Sequence, residues 1–257
     1  GIGYYGLSNN IATAIGPTVA LMIFGLVGNF DFLFLLALLI ALGGLVINSS
    51  LTLKERPKVA RPKLSLDRFF LSNGWSEGLA MVCYAFSYGV LATYIAIYGK
   101  EELQETQCAG FFFMLLAIGL ILSRLTGSRT LRKGKIAENA SIGLVISLFG
   151  YFLFAAVHTV WAVYAAALII GLGNGHMFPA FQNMFINLAS NEQRGTANST
   201  LLVSWDIGIG LGILVGGFLS EHWGYYSAFW GAWIVNLIGV AFFFLYVRSH
   251  YLRNRLR

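Results

Sequence analysis

The chain has 257 residues, of which 57% are hydrophobic and only 11% charged, with a mean hydropathy of +0.71. A water-soluble domain has about 25% of its residues charged, so a fold covered by solvent is excluded and lipid is the expected surrounding. The net charge of +6 does not signal nucleic acid: a basic binder gathers Lys and Arg on one face of a folded domain, whereas here they fall between long apolar runs. Cys83 and Cys108 make no metal-type or redox-type spacing and read as small buried hydrophobes.

Eight apolar segments are each long enough, at 1.5 Å per residue, to cross a hydrocarbon core of about 30 Å. The first, Tyr5–Val27, carries Asn9 and Thr13 one turn apart. Amides at this depth hydrogen-bond across helices or face water, so both line a cavity or a packed seam. A short link from Gly28 to Phe30 leads to the second span, Asp31–Leu53. Next comes KERPKVARPKLSLDR, with two prolines and the basic residues Lys54, Arg56, Lys58, Arg61, Lys63 and Arg68. It cannot sit in lipid, and it divides the chain into residues 1–53, a linker at 54–73 and residues 74–257.

The third span, Gly74–Tyr98, carries Glu77, Tyr84 and Tyr88 on one face. Glu77 lies one turn inside the end nearest the linker, where a salt bridge to linker arginines is one reading and a pathway role another. Tyr84 and Tyr88 lie deeper and offer hydroxyls and ring faces to an amphipathic substrate, or simply pack. The fourth span is Cys108–Thr126 and the fifth Ala137–Val157. The sixth, Trp161–Leu188, carries His176, Asn183 and Asn187 on one face, with Pro179 expected to bend the helix just below His176. That polar stripe suits a cavity wall. His176 titrates near neutral pH and could relay protons, or be satisfied by one neighbour.

The seventh span, Thr196–Leu219, places Ser199, Asp206 and Gly210 on one face, and Gly208, Gly212 and Gly216 in a small-residue row that lets another backbone approach. An aspartate at mid-span costs about 2.5–3.5 kcal/mol against lipid. Asp206 is therefore expected to face protein or water, either as a proton-coupling or substrate-cation group or as a buried packing group. The eighth span is Tyr225–Val247. With the second and fifth, it is nearly all apolar and suits lipid-facing positions.

Alternating these spans puts all but one of the 17 basic residues on one side, Lys100 being the exception. The positive-inside rule makes that side cytoplasmic. A shift of 194 residues aligns Gly1, Leu7, Ile15 and Gly16 with Gly195, Leu201, Ile209 and Gly210. Span one is then the counterpart of span seven, as in two parallel six-helix halves, and four further helices are expected ahead of Gly1.

Three stretches carry a family resemblance: Ala-Ile-Gly-Pro at Ala14–Pro17, the basic linker, and Gly-Asn-Gly-His-Met-Phe-Pro-Ala at Gly173–Ala180 with Arg-Gly-Thr-Ala at Arg194–Ala197 and Asp-Ile-Gly-Ile-Gly at Asp206–Gly210. The chain resembles helices five to twelve of a major facilitator superfamily transporter, of the bacterial efflux-like kind. The resemblance implies an all-α polytopic bundle in the bacterial inner membrane. It implies proton-coupled export of a small molecule by alternating access, with the bilayer and protons or another coupling ion as partners. The segment Ser123–Lys135 resembles the family's cytoplasmic gating loop in Arg124, Gly127 and Arg129, although Leu131 stands where that pattern has an aspartate.

Uptake or facilitated diffusion of a sugar or other metabolite is the alternative, and a non-transporting receptor or scaffold is another. No Gly-Lys-Ser or Gly-Lys-Thr phosphate loop occurs, and His158, His176, His222 and His250 are scattered. No cofactor, metal or enzymatic activity is expected.

Overall fold

A computed structural model describes residues 12, 16, 19–20, 22–50, 70–132 and 134–256, the side chains of 124–132 excepted. The helices are α1 (Phe30–Ser49), α2 (Trp75–Glu101), α3 (Cys108–Arg132), α4 (Ile136–Ala156), α5 (Val160–Leu188), α6 (Arg194–Trp223), α7 (Tyr225–Phe242) and α8 (Arg248–Asn254). A five-residue π-helical segment, Phe243–Val247, joins α7 to α8 without a break, so α1 to α7 correspond to predicted spans two to eight. Six described helices are long and apolar enough to cross a membrane, and Cys108–Ser123 is a shorter apolar helix. Most of the first predicted span, with Asn9 and Thr13, lies outside the described residues, as does most of the linker.

Local chemistry sets the helix ends. Asn29 caps α1 by accepting from the Asp31 amide at 2.8 Å, and Thr159 caps α5 by accepting from the Ala162 amide at 3.3 Å. α6 runs to Trp223 and turns into α7 at the single residue Gly224, whose φ of +81° a side chain would resist. The connection is tighter than the expected Ser220–Gly224 link. One expectation is corrected outright: the presumed loop after the fourth span is helical as far as Arg132. The stretch contains no proline, and its single Gly127, at about 1 kcal/mol, does not stop the helix; Arg124, Gly127 and Arg129 lie on its last turns.

From α2 onward the helices form two three-helix groups. In one, α5 packs extensively against α3 and α4; in the other, α2 packs against α6 and α7. Thinner contacts between α4 and α7, and between α5 and α6, join the groups. Water does not drive helix association inside a bilayer, so close backbone approach has to supply the attraction. The glycine row of α6 does this against α2: a Cβ at Gly208 would meet the Val82 carbonyl oxygen at 2.5 Å, one at Gly212 would collide with the Phe86 carbonyl oxygen, and one at Gly89 would meet Ile209 O at 2.6 Å. Between α4 and α5, a Cβ at Gly143 would reach the Met177 amide at 2.5 Å.

The helices differ in how much they leave open. None of α1 is buried. Of α6, 28% of the most apolar window is buried, against 39% for the helix beginning at Tyr225 and 50% for α4. Spans two, five and eight were expected to be the lipid-facing ones; α1 has no buried residue among the described residues, and the most open helix of the two groups is α6.

Candidate functional site

Span six was expected to turn its polar stripe toward a cavity. His176 is instead buried against α4: its Nδ1 donates to Asn139 Oδ1 at 3.0 Å, and Asn139 Nδ2 donates back to the His176 carbonyl at 2.8 Å. Asn183 Nδ2 donates to the Pro179 carbonyl of its own helix at 2.7 Å, and Asn187 Nδ2 donates to the Tyr251 hydroxyl of α8 at 3.0 Å. His176 thus faces α4 and Asn187 faces the chain's C-terminal end, while Asn183 bonds within its own helix.

The neighbouring face of α5 points to α6. There Phe178 meets Trp205 edge-on with ring centroids 5.4 Å apart, and one turn along, Gln182 Nε2 donates to Asn198 Oδ1 at 3.2 Å. On its other sides Trp205 lies 5.4 Å from Tyr88 and 6.2 Å from Tyr84. Tyr84 is buried and its hydroxyl shares a 2.9 Å hydrogen bond with Ser147 Oγ, so it holds α2 to α4. Tyr88, Phe178 and Trp205 are half-buried. Three helices thus present a wall of ring faces at mid-length, suited to stacking on an apolar or planar solute and to attracting a cation.

Sequence reasoning found Tyr84 and Tyr88 but missed Phe178 and Trp205. The available signal was a tryptophan at mid-span, because Trp and Tyr otherwise favour the interfaces.

Asp206 follows Trp205 directly. Its side chain is exposed, as are those of Leu202, Val203 and Ile207, on the side of α6 away from the buried glycine row. The described helices therefore leave it open rather than bury it as a packing group. They bury Glu77 instead, which is fully enclosed and bound to His250 of α8; the linker arginines of the expected salt bridge lie outside the described residues. Among the described residues no group of three or more His, Cys, Asp or Glu side chains is placed to hold a metal.

An all-helical bundle of antiparallel apolar rods with an aromatic wall between two helix groups fits a transport fold. The sequence matches the Major Facilitator Superfamily over residues 1–139 and again over 140–256. The chain belongs to that superfamily. It is accordingly an integral, multi-pass membrane protein.

Among its relatives is an uncharacterized MFS-type transporter of Salmonella typhimurium, 25% identical over 97% of this chain and 63% of the relative. An uncharacterized MFS-type transporter of Pseudomonas aeruginosa is 26% identical over 72% of this chain and 46% of the relative. The superfamily chain described here thus spans less than two-thirds of the length of these relatives. Its fold is similar to that of a bacterial homolog of the human lysosomal transporter Spinster in an inward-facing, unoccupied conformation, with a TM-score of 0.56 and 16% identity over 84% of this chain and 58% of the other. It is also similar to the peptide transporter POT in complex with sulfate, with a TM-score of 0.59 and 15% identity over 71% of this chain and 39% of the other.

Proposed function

We propose that the protein is a secondary active transporter that exports a small molecule in exchange for protons by alternating access. The reading rests on one observation, the exposed Asp206 carboxylate at mid-length of α6, next to the ring of Trp205 and among exposed aliphatic side chains. In acyl chains that carboxylate would cost about 2.5–3.5 kcal/mol. This face therefore calls for water or protein, and a cavity shared with another group of helices supplies both.

In this frame eight helices cross the inner membrane of a bacterium with the basic side cytoplasmic. Residues 1–53 belong to one half, 54–73 to the linker and 74–257 to the other half. The substrate rests on Tyr88, Phe178 and Trp205, with Asn9 and Thr13 on the facing half. Arg124, Gly127 and Arg129 anchor the cytoplasmic end of α3. Rocking of the halves exposes the cavity to each side in turn. Protonation removes the charge of Asp206 and favours one orientation; bound substrate favours the other.

The test uses full-length protein in liposomes under an imposed pH gradient. Asp206→Asn is expected to lower gradient-driven transport by about tenfold or more, the usual scale of a coupling free energy, while exchange of the same solute across the membrane persists. Unchanged gradient-driven transport in this variant refutes the coupling role. Wild-type exchange indifferent to the gradient favours facilitated diffusion or uptake.

A further inference from the structure

At the end of the bundle where the basic residues gather, α8 closes onto two helices through consecutive side chains. His250 Nδ1 lies 3.1 Å from Glu77 Oε1 and 3.1 Å from Ser76 Oγ, and Ser76 Oγ donates to Glu77 Oε2 at 2.9 Å. The next residue, Tyr251, accepts from Asn187 Nδ2 on α5, and the Leu256 amide donates to the Asn187 carbonyl at 2.8 Å. Ser76 and Glu77 have no exposed surface, and the His250 side chain is 12% exposed.

Glu77 is the only buried carboxylate among the described residues. Burying an ion pair gains little, because desolvation offsets most of the attraction, but removing one partner's charge leaves the other stranded. Among the described residues, the other ionisable groups on the surrounding elements do not share the site. Arg248 and Arg253 on α8, Lys135 and Glu138 around the start of α4, Glu192 before α6 and Arg194 at its first residue are not buried with it. The Tyr246 ring stacks on His250 at 5.8 Å, and Tyr251 is committed to Asn187. Among the described residues, the charge of Glu77 is thus matched by one imidazole.

We propose that Ser76, Glu77 and His250 form a proton-operated latch that fastens the C-terminal tail to the cytoplasmic ends of α2 and α5. In the closed form the imidazolium donates through Nδ1–H to the Glu77 carboxylate. Loss of the Nε2 proton to the adjoining water leaves a neutral imidazole and a buried carboxylate without a countercharge. The tail then lets go of α2 and, through Tyr251 and Leu256, of Asn187 on α5. The latch responds to pH on its own side of the membrane and does not require Asp206.

The experiment is hydrogen–deuterium exchange of the amides at 248–256 in full-length protein in lipid nanodiscs, corrected for the intrinsic pH dependence of exchange. Protection is expected to be about tenfold higher near pH 6 than near pH 8. His250→Gln and Glu77→Gln are expected to abolish that ratio. Tyr251→Phe is expected to lower protection at both values and keep the ratio, since it loosens only the α5 attachment. Equal wild-type protection at the two pH values overturns the latch, as does a ratio that survives His250→Gln or vanishes in Tyr251→Phe. The wild-type profile decides the matter even where a variant fails to fold.

Discussion

The side chain of His176 is engaged by Asn139 in both directions, ring to amide oxygen and amide nitrogen to backbone carbonyl. Such reciprocal bonding between buried groups holds two helices in register, and truncating one partner leaves the other amide unsatisfied, at about 1–3 kcal/mol. His176→Ala should therefore lower stability by about that amount in a detergent unfolding titration while leaving the pH profile of transport in place. A shifted profile would instead make His176 a proton carrier.

Asp206 is the contrasting case. The sequence marks it by its charge in an apolar run, and the structure leaves that charge exposed beside Trp205. A charged residue at mid-span can be picked out by eye; an aromatic that matters cannot, because Phe178 and Trp205 differ from dozens of packing residues only in what lies across from them. For the same reason no reading of residues 76 and 77 could have found His250, which is 173 positions away from Glu77.

At the level of helices, periodicity told which residues share a face but not which neighbour that face meets. His176 and Asn187 turn to α4 and α8 while the adjoining strip of α5 meets α6. The glycine row of α6 was legible because a close crossing has few other uses for small residues at every fourth position. Its energetic role separates two substitutions on one helix. Gly212→Val must displace the backbone of α2 at Phe86 and is expected to cost about 1–3 kcal/mol. Gly210→Ala meets nothing within 4 Å and is expected to be neutral or to stabilise by about 0.5–1 kcal/mol, as alanine does inside a helix. Thermal unfolding of the two variants in the same detergent checks the contrast, which disappears if α2 and α6 do not cross there. Helix ends were less legible: α3 runs past Thr126 and through Gly127 with no proline to end it, and hydropathy falls before the helix does.

For the molecule as a whole, the distribution of Lys and Arg predicts which end faces the cytoplasm. The links between α5 and α6 and between α6 and α7 then lie on opposite sides, and Glu192 and Glu221, close to them, are both exposed. A cysteine at Glu221 is expected to react with a membrane-impermeant maleimide in intact cells, whereas one at Glu192 reacts only once the cells are opened. Cys108 is buried and Cys83 half-buried, so background labelling is small. Reaction at both positions from outside would reverse or dismantle the topology.

The two helix groups differ in kind from the line along which they meet. Within the α2–α6–α7 group, backbones mesh so closely at Gly208 and Gly212 that neither α2 nor α6 can travel along the other without collision. Where α5 meets α6, the join is Phe178 edge-on to Trp205 and one amide-to-amide hydrogen bond. Smooth rings slip past one another at small cost; cogged backbones do not. The mechanical weak line of this bundle therefore runs through Phe178 and Trp205.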